Sequence, residues 1–206
     1  GKSTLLNLIP RFYAVSEGSV QVDGVDVRHM SQKDLRDKLG YVPQKAVLFS
    51  GTIHSNISYG CPDASREQVE QAAAIAQADS FIMEKPEAYD SPISQGGSNV
   101  SGGQKQRLSI ARAIARQPEI LLFDDSFSAL DFKTDSALRK ALKKAVKDTT
   151  TLIVAQRIST IIHADLILVL DEARIVGQGT HQELLKNCDV YRQIAMSQLS
   201  EEELAG

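Results

Sequence analysis

The segment Ile120-Leu121-Leu122-Phe123-Asp124-Asp125 constrains the fold of this chain more than any other feature. Four apolar residues without polar alternation are typical of a parallel strand that is buried on both faces, and such strands lie in sheets covered by helices. Helix and strand patterns alternate after it, at residues 134–146, 150–154, 166–170 and 174–176. We therefore predict an α/β fold with a largely parallel sheet and flanking helices.

Residues 53–117 interrupt this alternation with a block of helical patterns. Ser65 and Gln68 mark the start of an alanine-rich helix, residues 80–83 indicate another, and residues 86–97 contain the proline, serine and glycine of a loop. The block predicts a helical subdomain inserted into one domain that spans residues 1–206. The solvated face of the predicted helix at 134–146 is expected to carry Arg139, Lys140, Lys143, Lys144 and Lys147.

Composition restricts the possible partners and compartments. The formal net charge is −3, which gives no basic surface for nucleic acid, so no nucleic-acid partner is expected. The longest apolar runs are far shorter than the roughly 20 residues that a membrane-spanning helix needs. Cys61 and Cys188 lie in no metal or redox motif, which indicates two reduced thiols.

The first residues, Gly1-Lys2-Ser3-Thr4, match the second half of the phosphate-binding pattern G-x-x-x-x-G-K-[ST]. In that pattern the lysine reaches the outer phosphates and the hydroxyl holds Mg²⁺, although a solvated helix cap is the simpler alternative. Asp124 ends the predicted buried strand, where a second Mg²⁺ ligand is expected in nucleotide-binding α/β folds. Since the first half of the pattern is missing, we expect a truncated domain that is marginally stable and binds nucleotide poorly by itself.

Two further polar features lie at the ends of predicted elements. Ser101-Gly102-Gly103-Gln104 opens an amphipathic helix, so Ser101 is either its N-cap or part of a phosphate site made with backbone N–H groups. Gln44 follows a predicted strand at residues 40–43. It is either an ordinary polar loop residue or a ligand of the metal or of an attacking water.

In their order and spacing, these motifs resemble the nucleotide-binding domain of ATP-binding cassette (ABC) exporters over essentially the whole chain. Residues 1–4 resemble the end of the Walker A loop, Gln44 the Q-loop glutamine, residues 121–124 Walker B, and residues 100–107 the signature loop. Ser128-Ala129-Leu130-Asp131 is similar to the D-loop. The segments 51–60 and 179–184 are typical of exporters rather than importers.

The resemblance implies that ATP and Mg²⁺ bind between two such domains arranged head to tail. It assigns nucleotide binding to the Walker and signature residues and to the D-loop, namely Gly1, Lys2, Ser3, Thr4, Ser101, Gly102, Gly103, Gln104 and Asp131. It assigns Mg²⁺ to Ser3, Gln44 and Asp124. It also implies a transmembrane domain contacted through the Q-loop region and the helical subdomain, at the cytoplasmic face of the plasma membrane.

Two residues depart from the pattern of members that hydrolyse ATP well. Asp125 stands where those members carry a glutamate that polarises water, and Gln156 stands where they carry a switch histidine. Asp125 is one methylene shorter, and a misplacement of about 1 Å can cost on the order of a hundredfold in rate. Gln156 can donate a hydrogen bond but cannot become cationic. Asp125, Gln156 and Gln44 are thus the candidate catalytic residues of an impaired site.

These departures predict one subunit of a heterodimeric exporter whose own site turns over slowly. Its signature loop would then complete the partner's active site. Two alternatives stay open: a homodimeric exporter in which Asp125 is a slow base, and a soluble ABC ATPase without transport.

Overall fold

The computed structural model of the chain describes residues 1–200. The α-helices within these residues are α1 (Lys2–Leu8), α2 (Gln32–Asp37), α3 (Ile53–Ile57), α4 (Arg66–Ile75), α5 (Asp79–Met83), α6 (Gly102–Ala115), α7 (Phe132–Ala145), α8 (Ile158–Ile161), α9 (His181–Asn187) and α10 (Asp189–Gln198). The strands are β1 (Gln21–Val22), β2 (Val25–Asp26), β3 (Leu39–Val42), β4 (Gly51–Thr52), β5 (Pro92–Ile93), β6 (Ile120–Asp124), β7 (Thr150–Val154), β8 (Ile167–Asp171) and β9 (Arg174–Gly179).

The central sheet has the order β3-β6-β7, and both strand pairs are parallel. The middle strand is β6, and its residues Leu121, Leu122 and Phe123 are fully buried. A middle strand covered by helices loses water on both faces, which is why this segment is apolar without alternation. The predicted α/β fold with a parallel sheet and flanking helices is confirmed.

The strand pair β8–β9 is antiparallel and forms its own two-stranded sheet. Only Glu172 and Ala173 separate the two strands, and both have left-handed backbones, with φ of 43° and 61°. Two such residues form the tight turn that matches the twist of a hairpin, whereas a parallel pair needs a crossover of a dozen residues or more. The prediction of parallel strands therefore does not hold for β8 and β9.

The helical block consists of α3–α6 together with the short antiparallel pair β4–β5. Its apolar residues share one buried cluster with the sheet, because Ile57, Ala73 and Leu108 belong to the same core as Leu121 and Phe123. The block is thus packed onto the sheet rather than built on a separate core. Its status as an inserted subdomain stays a prediction.

A second apolar core holds the C-terminal elements together. It joins Ile158 of α8, Ile167 and Val169 of β8, and the helices α9 and α10 through Leu184 and Tyr191. At the start of α9, Thr180 and Glu183 form the reciprocal bonds of a capping box. The helix start predicted at Thr180 is confirmed.

Arg139 of α7 does not belong to a purely solvated helix face. Its Nε donates to the buried carboxylate of Asp135 at 3.1 Å, and its guanidinium donates to the backbone oxygen of Ser159 at 2.6 Å. The prediction for Arg139 was therefore wrong, because sequence periodicity places this residue near the polar side but cannot show the neighbouring α8. Over residues 1–200, none of the helices has the length and apolar character that crossing a bilayer would require.

Candidate active site

Helix α1 and strand β6 bring Ser3 and Asp124 together, although they are far apart in the sequence. The hydroxyl of Ser3 donates a hydrogen bond of 2.6 Å to Oδ1 of Asp124, whose side chain ends β6 and is only 6% exposed. Hydroxyl and carboxylate oxygens are the hard ligands that Mg²⁺ prefers, and Mg²⁺ keeps several waters, so few protein ligands are needed. The donor set therefore fits Mg²⁺.

Tyr41 and Asn7 extend this polar cluster and were missed from the sequence. The Tyr41 hydroxyl donates to Oδ1 of Asn7 at 3.0 Å. Burial, reinforced by the negative charge of Asp124, raises the pKa of Tyr41. Asn7 lies one helical turn after Ser3 on the same face of α1, and this i, i+4 spacing is the signal that could have found it.

Asp125 accepts hydrogen bonds from both candidate glutamines. Nε2 of Gln156 lies 2.6 Å from Oδ2 of Asp125, and Nε2 of Gln44 lies 3.2 Å from the same oxygen. Gln156 follows β7, Asp125 follows β6 and Gln44 follows β3. These residues meet because the carboxyl ends of adjacent parallel strands share one edge of the sheet. Gln44 is thus directed to Asp125 rather than to the Ser3–Asp124 pair.

The backbone around Asp125 is held in a left-handed conformation, with φ of 48°. Its N–H donates to the carbonyl of Val154 at 3.0 Å, and its own carbonyl accepts from the Ser128 hydroxyl at 2.7 Å. Ser126, which is fully buried, donates its hydroxyl to the carbonyl of Val42 at 2.9 Å. These bonds fix the backbone at Asp125 against the two neighbouring strands.

A cavity of about 300 Å³ opens beside the N-terminus of α1. Gly1, Lys2, Ser3 and Thr4 line one side, and the β8–β9 turn lines the other with residues 170–173. Gly1 is the N-cap of α1 and offers no side-chain cap, while Lys2 and Thr4 are exposed. The predicted phosphate-binding residues therefore face an open space beside the Ser3–Asp124 pair.

The segment 101–104 begins α6 with a capping box. Oγ of Ser101 accepts from the Gln104 N–H at 3.2 Å, and Oε1 of Gln104 accepts from the Ser101 N–H at 3.0 Å. The helix-cap interpretation is confirmed. Since Oγ acts here as an acceptor, the Ser101 hydroxyl proton stays available for a phosphate oxygen. Ser101 and Gly102 are both exposed.

Helix α6 also supports the loop that carries Gln44. Gln106, which is almost fully buried, donates from Nε2 to the carbonyl of Pro43 at 3.2 Å. Helix α6, which starts at the segment 101–104, is thus hydrogen-bonded to the residue before Gln44.

Asp131 is the N-cap of α7. Its carboxylate accepts from the Thr134 N–H at 2.9 Å and from the Thr134 hydroxyl at 2.7 Å. These hydrogen bonds lower the pKa of Asp131, which is exposed.

Comparison with known proteins gives consistent matches. The family model described as ABC transporter matches residues 1–128. An uncharacterized ABC transporter ATP-binding protein of Bacillus subtilis is 49% identical over 94% of this chain and 33% of the relative. A Staphylococcus aureus protein named "Putative multidrug export ATP-binding/permease protein" is 47% identical over 94% of this chain and 34% of the relative.

A solved structure gives the same result for the fold. It is described as a bacterial Atm1-family ABC exporter with ATP bound, and it superposes with a TM-score of 0.93 at 43% identity. The match covers 98% of this chain and 35% of that one. The chain thus spans about a third of the length of the relatives that it matches.

Proposed function

Because the chain belongs to the ABC transporter family, we propose that it is the ATP-binding domain of an exporter and couples ATP hydrolysis to transport. The observation that carries this proposal is the bond between Ser3 and Asp124 at the edge of a parallel sheet. Lys2 and the backbone of residues 1–4 would bind the ATP phosphates, and Ser3 and Asp124 would hold Mg²⁺. Gln44 donates to Asp125 here, so its side chain would have to turn toward the ion to become a further ligand. When bound, Mg²⁺ neutralises phosphate charge as the γ-phosphoryl group is transferred to water.

We propose that this site hydrolyses ATP slowly. In an efficient site, a carboxylate must accept a proton from the attacking water at hydrogen-bond distance. Here Oδ2 of Asp125 already accepts two amide donors, its backbone is fixed between β3 and β7, and its side chain is one methylene shorter than glutamate. Gln156 adds a neutral donor in place of an imidazole. Water activation at this site is therefore weak.

We propose that the segment 101–104 serves a second ABC subunit. The Ser101 hydroxyl proton and the exposed N-terminus of α6 are free to receive a phosphate of ATP bound to that partner. We also propose that Asp131, the exposed N-cap of α7, bridges the two subunits. With a weak site of its own and an intact signature segment, the chain fits one half of a heterodimer.

We propose that the contact with a transmembrane domain lies at the loop after Gln44. Val47, Phe49 and Tyr59 are exposed by 55%, 41% and 59%, and the Phe49 and Tyr59 rings stack at 4.3 Å. The guanidinium of Arg112 lies over both rings. This apolar surface is formed by the Q-loop region and the helical block together. A segment of the membrane domain that binds there would contact both. We propose that the chain lies at the cytoplasmic face of the membrane.

The test is to restore both departures in the full-length transporter. Asp125→Glu with Gln156→His should raise ATP hydrolysis at this chain's own site, measured as trapped ADP per subunit, by about a hundredfold. Asp124→Asn in the same background is the matched control and should abolish the gain, because it removes the Mg²⁺ ligand. An unchanged rate in the double variant would contradict the slow-site proposal. A native site that already turns over as fast as its partner's would favour a homodimer with Asp125 as the base.

A further inference from the structure

We propose that Gln198, at the end of α10, is a positioning residue that sets the orientation of residue 156 at the active site. The inference rests on the proposed function, since it concerns the same site. It gives the C-terminal helix a direct influence on ATP turnover, in addition to its packing role.

The carboxamide of Gln198 makes two hydrogen bonds to the backbone after β7. Its Nε2 donates to the carbonyl oxygen of Gln156 at 2.9 Å, and its Oε1 accepts from the N–H of Ile158 at 2.9 Å. Arg157, between the two, is extended, with φ of −98° and ψ of 127°. In an extended segment the carbonyl before a residue and the N–H after it point to the same side. The side-chain amide of Gln198 therefore pairs with this segment as a neighbouring strand would.

This pairing acts on the active site through one residue. The backbone of Gln156 is held by Gln198, and the side chain of Gln156 donates to Asp125 at 2.6 Å. The Ile158 N–H begins α8, and Arg157 supplies no side-chain cap there. Gln198 thus satisfies one of the donors that a helix start leaves unpaired, and by doing so fixes where the helix begins. A shift of this start would move the side chain at position 156 relative to Asp125.

The rest of α8 is anchored independently of Gln198. Ile158 is buried in the C-terminal core with Tyr191 and Ala195, and Arg139 of α7 donates to the Ser159 carbonyl at 2.6 Å. Gln198 itself is exposed. Removing its amide should therefore leave α8 docked and loosen only residues 156–158. This separates a positioning role from a purely structural one.

The experiment compares Gln198→Met with Gln193→Met in the full-length transporter. Both residues are exposed on α10, but only Gln198 bonds to the segment after β7. Hydrogen exchange of the peptide that contains the Ile158 amide should accelerate in Gln198→Met and not in Gln193→Met, because the first change removes the acceptor of that amide. The melting temperature should be the same in the two variants.

Turnover is measured in the Asp125→Glu, Gln156→His background, because Gln198 holds the backbone at 156 and its bonds do not depend on the side chain there. Adding Gln198→Met should lower kcat of this chain's site about tenfold, with KM for ATP unchanged. A misplacement of about 1 Å costs on the order of a hundredfold, and the shift expected here is smaller. In an Asp125→Glu, Gln156→Ala background it should have no effect, because no side chain remains to be positioned.

An equal kcat in Gln198→Met and Gln193→Met would overturn the inference, as would an equal loss in the Gln156→Ala background. If the restored double variant gains no activity, the slow-site proposal fails by itself. The same pair of α10 variants is then compared in the native chain. There, a turnover in Gln198→Met that matches Gln193→Met overturns the positioning role, and a specific loss supports it.

Discussion

At the residue scale, Asp125 and Asp124 show how two adjacent carboxylates acquire different surroundings. Asp124 accepts a hydrogen bond from the Ser3 hydroxyl, while one oxygen of Asp125 accepts hydrogen bonds from two side-chain amides. Adjacent side chains on a strand point to opposite sides, and the left-handed backbone at Asp125 turns the second carboxylate toward β3 and β7. The two carboxylates therefore face different partners, one the hydroxyl of α1 and the other the amides that follow β3 and β7.

Ser3→Ala should destabilise the domain and weaken Mg²⁺-dependent ATP binding. It leaves the nearly buried Asp124 carboxylate without its hydroxyl donor, a loss of about 2 kcal/mol in the free energy of unfolding. Thermal unfolding and ATP binding, with Mg²⁺ and with a chelator, measure the two effects. Thr4→Ala, at the exposed next position, is the control and should retain stability. Equal Mg²⁺ dependence in Ser3→Ala and the native chain would exclude Ser3 as a ligand.

Gly102→Ala should separate folding from function. A Cβ built on Gly102 meets no atom within 4 Å, and its backbone is not left-handed, so alanine should change stability by less than about 1 kcal/mol. If a partner's ATP approaches this surface, hydrolysis at the partner's site should nevertheless fall at least tenfold, because a methyl group occupies the phosphate approach.

The matched variant for Gly102 is Gly97→Ala. Gly97 has φ of +67°, and a Cβ there would lie 3.0 Å from the Leu48 side chain, so this change should cost about 1–2 kcal/mol of stability. Thermal unfolding and ATPase assays of the two variants should thus give opposite patterns. A Gly102→Ala transporter with native ATPase activity would show that nothing binds at this helix start.

At the element scale, the helix starts and the buried middle strand were predictable, and the long-range bonds were not. Ser65, Ser101 and Thr180 are N-caps as their local patterns indicate, since a cap depends on residues three positions apart. β6 was predictable because burial on both faces leaves a continuous apolar run. The convergence of Gln44 and Gln156 on Asp125 depends on strand order, which periodicity does not encode. The bonds of Arg139 and Gln198 depend likewise on which elements become neighbours.

The loop after Gln44 is held to the helical block by Arg112, and this predicts a local defect. Arg112 donates to the Asn56 carbonyl at 2.7 Å, to the Asn56 side chain at 3.0 Å and to the Val47 carbonyl at 2.9 Å. Arg112→Met removes these charged donors and should cost about 2–3 kcal/mol, with faster hydrogen exchange over residues 45–49.

Arg112→Lys should not restore the loop, because one ammonium group cannot match a planar fork of donors. Arg116→Met is the comparison, since Arg116 pairs with Asp37 at the surface. If hydrogen exchange over residues 45–49 accelerates equally in Arg112→Met and Arg116→Met, the hydrogen bonds of Arg112 do not specifically stabilise this loop.

At the scale of the whole molecule, the C-terminal apolar core carries its own dependence on acid. His181 lies in the C-terminal unit, is 4% exposed, and its Nδ1 lies 2.8 Å from the Tyr191 hydroxyl. Its Nε2 is buried without a partner. Burial, reinforced by the positive charge of His163, lowers the pKa of His181 below its ordinary value of 6.5. The folded unit therefore favours the neutral ring.

The lowered pKa fixes the direction of the pH dependence. Well above pH 6.5 the ring is neutral in both the folded and the unfolded chain, so it adds no pH dependence. Below that value the unfolded chain binds the proton first, so the stability of the C-terminal unit falls until the pH passes the lowered pKa of the folded state. His181→Gln should be less stable at neutral pH but lose this dependence. Hydrogen exchange of residues 181–198 at pH 7.5 and 5.5 tests it, and an unchanged slope in His181→Gln would assign the dependence elsewhere.

The strand order of the central sheet also determines how the chain reaches its native state. Residues 125–149 separate β6 from its partner β7. Residues 43–119, which include the whole helical block, separate β6 from its other partner β3. Closing the longer loop costs more conformational entropy, and contacts between distant segments form slowly. During synthesis β3 leaves the ribosome well before its partner, so its polar backbone edge stays unpaired until β6 is made. Mutations that delay the packing of α3–α6 should therefore increase aggregation during synthesis more than they reduce the activity of molecules that have folded.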